Sequence, residues 1–218
     1  MLLPHSVIGS QTNDPYFNNV SLLLKPYKDN LINKDYSKNN HTISVAGNTA
    51  ISSAQAKWGN KSIYFDGNGD YLSGSLTSSF NIRTTPHSIE AWVYFSSTTN
   101  SVIFNSDENY YPVEIYQNYF YVGDAIINNI NQVSTSAIIQ NGWNFVIVTF
   151  DGATYKLGLN GNLIGSSTTL LKSANILNFQ IGARTVYGVY LYGLIGELRV
   201  TPNNVRPISV PTQPFPNW

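Results

Sequence analysis

The sequence contains no cysteine. That excludes a disulfide framework and thiolate metal sites, so packing and hydrogen bonds alone must hold the fold. Charge is scarce as well. Asp, Glu, Lys and Arg make up 11% of the 218 residues, against roughly a quarter in an average domain. Twelve bases balance twelve acids, and they form no cluster of the kind that displaces counterions from a nucleic acid. Histidine is limited to His5, His41 and His87, and none of them follows a nucleophile motif. No apolar run approaches the length of a membrane-spanning helix, about 18 residues, so no membrane insertion is expected. No window carries a sustained helical period. The opening MLLPHSVIGSQTNDPYF has neither a basic n-region nor an apolar h-region, so a signal peptide is not expected. The expectation is a soluble protein, made in a cytoplasm, that needs no oxidation for stability.

What is present is polar without being charged, and aromatic. The chain has 27 asparagines, and aromatic residues make up 13% of it, with 15 tyrosines among them. Short runs rich in β-branched and aromatic residues recur along it: SIYF (62–65), Tyr71–Ser73, SIEAWVYF (88–95), Ser101–Phe104, Pro112–Gln117, Tyr119–Gly123 and NFVIVTF (144–150). Thr154–Leu159, Leu163–Ser167, Asn178–Gly182 and Tyr190–Val200 continue the series. Turn chemistry separates these runs. Asn160-Gly161 is a strong two-residue hairpin signal, because both central residues must take φ > 0, and Asp151-Gly152 is nearly as good. Asp66-Gly67-Asn68-Gly69-Asp70 reads as another hairpin, with the glycines supplying positive φ and the aspartates capping the turn. Asn175–Leu177 is the best helical candidate, and it amounts to one turn. Many short strands at this spacing predict an all-β sandwich or jelly roll.

The segments in order are DPYFNNVSLLLK (14–25), DYSKNNHTISVAGN (35–48), KWGNKSIYFDGNGDYL (57–72), HSIEAWVYF (87–95), WNFVIVTFDGATYKLGLNGNLIG (143–165) and YGLIGELRVTP (192–202). Together they resemble the laminin-G-like, concanavalin A-like jelly roll in the form found in tailed-bacteriophage structural proteins. The likeness runs over roughly residues 14 to 216. It implies an antiparallel β-sandwich over residues 15–202, with an N-terminal arm at 1–14 and a Pro-rich C-terminal arm at 203–218. It further implies a virion structural protein, in capsid decoration or in a tail fibre or tip. Such a protein would be assembled in a host cytoplasm, would meet other virion proteins or copies of itself, and could contribute glycan binding at the host surface. A stand-alone lectin-like module is the alternative. A glycoside hydrolase is a distant third, because the paired carboxylates of the fold's glucanases (E-x-D-x-x-E) have no counterpart here. Glu90 and Glu114 each stand alone on their strands, so the chain is not expected to be an enzyme.

Several residues carry the candidate chemistry. Glycan recognition combines aromatic faces with Asn, Asp and backbone groups, and the densest such patch is Asp107, Glu108, Asn109, Tyr110 and Tyr111 with Tyr116, Tyr119 and Tyr121. Tyr187, Tyr190 and Tyr192 form a second patch, with Tyr190 and Tyr192 on one face. A structural Ca²⁺ at Asp66 and Asp70 is the one cofactor expectation, since carboxylates and loop carbonyls suit a hard cation. The family's closing-strand pattern runs G-x-I-D-E, and this chain has Gly196 where that acid would stand. Trp92 and Trp143 are expected to pack the core. In SIEAWVYF, Glu90, Trp92 and Tyr94 should share one face, and Ile89, Ala91, Val93 and Phe95 the other. Five of the ten prolines fall at 202, 207, 211, 214 and 216, which makes the tail extended. That arm either packs on its own sandwich, covering an edge strand, or docks on a neighbour through Phe215, Trp218, Arg206 and Arg199.

Overall fold

A computed structural model describes residues 13–98, 100–106, 113–116, 119–122, 130–134, 138–168 and 175–217. In chain order its strands are β1 (Leu22–Leu24), β2 (Ile43–Ala46), β3 (Ala50–Ser52), β4 (Ser62–Asp66), β5 (Tyr71–Asn81) and β6 (His87–Phe95). Next come β7 (Asn100–Ser106), β8 (Val113–Tyr116), β9 (Tyr119–Val122), β10 (Ile130–Ser134), β11 (Trp143–Phe150) and β12 (Tyr155–Leu159). The series ends with β13 (Asn162–Ser167), β14 (Asn175–Ile181), β15 (Ala183–Arg184), β16 (Val189–Tyr190) and β17 (Tyr192–Pro202). A first sheet runs β13-β12-β11-β6-β17-β4-β3, with β1 also paired to β17. A second runs β10-β9-β8-β7-β14-β5-β2, and β15 and β16 form a small hairpin of their own. All pairings are antiparallel.

The all-β jelly roll expected from the sequence is therefore present, and its sides follow from period-2 alternation. In β6, Ile89, Ala91, Val93 and Phe95 enter the core between the sheets, while Trp92 belongs to a separate cluster. Facing them across the sandwich are Phe104, Val113, Ile115, Phe179 and Ile181. Each such side chain, fully buried, contributes about 1.5–3 kcal/mol. His87 is wholly enclosed in this core beside Phe80, Phe150 and Tyr155, its ring 5.2, 5.7 and 6.3 Å from theirs.

Asn160 and Gly161 both take positive φ, 51° and 85°, as a tight β12–β13 hairpin demands. The Asp66–Asp70 turn is different from the hairpin the sequence suggests. β4 lies in the first sheet and β5 in the second, so residues 67–70 carry the chain across the sandwich. A second crossing, from β2 to β3, lies against it. The two are joined by Asp70, whose carboxylate accepts the backbone N–H groups of Asn48 and Asp66. Asn175–Leu177, the helical candidate, is the start of β14. Its alternating burial places Ile176 in the core, and that pairing overrides the local turn signal. The strands not read from sequence, β2, β3, β10 and β15, have two to five residues each, too short for a period to declare itself.

The C-terminal segment is not a projecting arm. It crosses the outer face of the first sheet, with Ile208 against Gly158, Val210 against Gly161 and Phe215 beside Phe145. Phe215 is 2% exposed and Arg206 8%, so neither is available to a neighbour. Trp218 lies outside the described residues. The tail covers a face rather than an edge strand. The reason lies in what that face carries: Trp92, Phe145, Ile147 and Leu23 form a second apolar cluster with Phe17, Val20 and Phe215. Left open to water, it would forfeit the stabilisation that burial supplies.

Candidate functional site

The first sheet's outer face also holds buried ions. Glu90 is gripped bidentately by Arg199 at 2.7 and 2.9 Å. Arg206 bonds Asp14 at 2.7 and 3.0 Å, and Arg199 reaches Asp14 at 3.0 Å. Two cations thus neutralise two anions. Next to them Glu197, fully enclosed, accepts the Tyr27 hydroxyl at 2.6 Å and the Phe215 N–H at 3.2 Å. Lys25 donates to the Phe215 carbonyl. Burial pushes the Glu197 carboxyl up and the Lys25 ammonium down from their ordinary values. These groups clamp the tail. Neither Glu90 nor Glu114 is free for hydrolytic work, since Glu114 is paired with Arg184 at 2.9 Å. The two carboxylates stand on different sheets, so they cannot form the close pair that retaining chemistry needs.

Asp70 is likewise engaged in the fold. It is fully buried, and both its oxygens are taken by backbone amides. Asp66 accepts the Asn68 N–H as an Asx turn. In the structure the pair acts as a structural pin, holding the two crossings by hydrogen bonds. Gly196 sits where β17 shifts register against β6. A Cβ there would lie 3.0 Å from Lys57 Cβ and 3.1 Å from the Trp143 ring. The acid of the family pattern is thus replaced by a close approach of Trp143. Trp92 and Trp143 pack on this outer face and not between the sheets.

The second sheet's outer face is open. Register places Ser44, Ser73, Gln180 and Asn105 side by side across β2, β5, β14 and β7. Asn178 and Ser75 form the adjoining pair, joined by a hydrogen bond of 2.5 Å. Gln180 is held by Thr185: its Nε2 donates to the hydroxyl at 2.9 Å, and its Oε1 accepts the Thr185 N–H at 3.2 Å. These residues line a shallow groove of about 420 Å³, closed on one side by Thr185 and Val186. The wall is the turn between β15 and β16, anchored by the Arg184–Glu114 pair. Burial raises the Glu114 pKa, an effect that Arg184 opposes. On the same turn Tyr187 is 53% exposed and stacks one face on the Arg184 guanidinium, 4.3 Å away. Such a surface offers amide and hydroxyl partners in a row, walled by a turn that also carries an exposed aromatic ring.

Of the residues expected to bind glycan, Asp107, Glu108, Asn109, Tyr110 and Tyr111 lie outside the described residues. Tyr116 and Tyr119 pair across β8 and β9. Tyr121 is buried opposite Glu114. Tyr190 and Tyr192 fall on different elements, β16 and β17, separated by the buried Leu191. The groove residues were missed. Their signal was the polar i, i+2 spacing in Ser73/Ser75 and Asn178/Gln180, but nothing local says that these two strands pair.

Comparison with known proteins returns the same fold. Domain 4 of AbnA, a GH43 extracellular arabinanase from Geobacillus stearothermophilus, solved in complex with arabinotriose, superposes with TM-score 0.61 at 16% identity, over 84% of this chain and 92% of that one. The botulinum neurotoxin serotype D binding domain gives TM-score 0.64 at 18% identity, over 86% of this chain and 49% of that one. Mouse laminin α1 domains LG4-5 give 0.51 at 14% identity, over 70% and 47%. At these identities the likeness is one of fold. No curated protein matches by sequence. The family model for the concanavalin A-like lectin/glucanases superfamily matches residues 65–207, which run from the end of β4 through β17 to the start of the tail, and the chain belongs to that superfamily.

Proposed function

We propose that this protein is a non-catalytic glycan-binding domain and that the groove on the outer face of the second sheet is its binding surface. The observation that carries the reading is the row Ser44–Ser73–Gln180, ended by the buried Asn105, with Asn178 beside it; the exposed Tyr187 stands on the turn whose Thr185 and Val186 wall the groove. Its volume lies within the range usual for small-ligand sites. Sugar hydroxyls need hydrogen-bonding partners held in place, and the Ser75–Asn178 and Thr185–Gln180 bonds hold the two amides. An aromatic face packs on the apolar side of a sugar ring. The arabinotriose complex of a protein with the same fold is in keeping with this.

The test is a glycan array followed by titration of the full chain, with Asn178→Ala and Tyr187→Ala. Binding should weaken about tenfold or more in each variant, equivalent to about 1.4 kcal/mol, with unfolding midpoints unchanged. Unchanged binding in both variants would remove the groove from consideration.

The setting we propose is a virion surface, where such a domain would meet host glycans and other virion proteins. This rests on the resemblance that the order of the sequence segments bears to tailed-phage structural proteins. The buried tail changes how it must be tested: deleting residues 203–218 would strip the first sheet and unfold the domain, so loss of incorporation would be uninformative. The number of copies per purified particle tests it instead. Hundreds of copies would indicate capsid decoration and a few tens a tail position, while absence from particles would end the virion reading.

A further inference from the structure

The groove's chemistry narrows what it can hold, on the footing of the glycan-binding reading above. None of the described residues that line it is charged. The polar side chains among them are all hydroxyls and carboxamides, Ser44, Ser73, Ser75, Asn178 and Gln180 included. The charges that β8 and the β15–β16 hairpin bring to this face, Glu114 and Arg184, are spent on each other at 2.9 Å and are 6% and 4% exposed. An incoming carboxylate or sulfate would exchange its hydration for neutral donors with no countercharge, at a net cost. A hydroxyl loses little, because it trades water hydrogen bonds for equivalent ones.

The two amides are also oriented. Asn178 Oδ1 is taken by Ser75, and Gln180 Oε1 by Thr185. What remains for a ligand are amide N–H donors and the hydroxyls of Ser44 and Ser73, which suit ring and hydroxyl oxygens. Among the described residues the groove offers a bridging cation no carboxylate and no cluster of metal-ligating side chains.

We infer that this groove takes an uncharged saccharide directly on the amides and hydroxyls of the sheet, without a divalent cation, and discriminates against acidic saccharides. Isothermal titration of the full chain tests this. The probes are neutral arabino-, gluco- and galacto-oligosaccharides and their sialylated or uronic-acid counterparts, each with calcium and with EDTA.

A neutral probe should bind, its Kd unaltered by EDTA and nearly flat with salt, and its acidic counterpart should bind at least about tenfold more weakly. Gln180→Lys should reverse that preference, which ties the selectivity to this groove. Tighter binding of the acidic counterpart, loss of binding in EDTA, or a Gln180→Lys variant with unaltered selectivity would each overturn the inference while leaving glycan binding standing. Binding of no saccharide at all would overturn the glycan reading and this inference with it.

Discussion

The outer faces of the two sheets are made from the same kind of strand and have opposite fates. On the first sheet the outward positions of β6, β11 and β17 hold Glu90, Trp92, Phe145, Ile147, Glu197 and Arg199, and the chain's own tail, together with Asp14, Phe17, Tyr27 and Trp58, buries them. On the second, the outward positions of β2, β5 and β14 hold Ser44, Ser73, Ser75, Asn178 and Gln180 and stay open. The difference shows how a sandwich divides its labour. A face with bulky apolar and charged groups is bound to find a cover, because exposed apolar area and half-paired ions both cost free energy. A face of short neutral polar groups loses nothing by meeting water, so it is free to meet a ligand.

The comparison can be broken first on the sealed face. Glu90→Ala leaves Arg199 and Arg206 short of an anion inside the protein, and should destabilise by about 3–5 kcal/mol, read from urea denaturation. A loss near zero would mean that the network contributes nothing and that the cover is held by apolar contact alone.

The interior between the faces supplies the second test. Burial holds His87 near pKa 4 in the fold, against 6.5 when free. The folded state therefore refuses a proton that the unfolded chain accepts. Stability is complete above pH 6.5 and falls as pH drops from there towards 4, by about 3 kcal/mol in all. His87→Phe should flatten that slope.

Gly158→Ala asks how tightly the tail is seated. Its Cβ would lie 2.5 Å from Ile208 and 2.7 Å from Ile147, so a loss of about 1–3 kcal/mol is expected. Smallest of all should be Ser73→Ala on the open face, within about 0.5 kcal/mol of the parent. A large loss there would mean that this face is structural after all.

Much of the fold was legible because alternation is local. SIEAWVYF reveals both its faces in eight letters, and Asn160-Gly161 announces its turn. What stayed hidden depends on partners distant in sequence. β5 and β14 meet across 103 residues at Ser75 and Asn178, and without that pairing four scattered polar residues do not make a groove. Likewise Phe215 looked like an anchor for a neighbour because its true partners, Lys25 and Glu197, lie 190 and 18 residues away. Tyrosine richness pointed towards the loops, whereas the candidate surface is mostly serine and amide on flat strand. An Asp-Gly-Asn-Gly-Asp string reads the same whether it returns a strand to its neighbour or sends it across the sandwich, so only the sheet order could tell them apart.

Asn13 and Asn217 line one depression, and beside it Arg206 bonds Asp14 across 192 residues. In topological terms the segment from Asn13 to Asn217 nearly closes on itself. A short Gly/Ser bridge from Asn217 to Asn13, with new termini cut at the exposed Asp151-Gly152 turn, should give a circular permutant that keeps the sandwich and leaves the open face of the second sheet as it is.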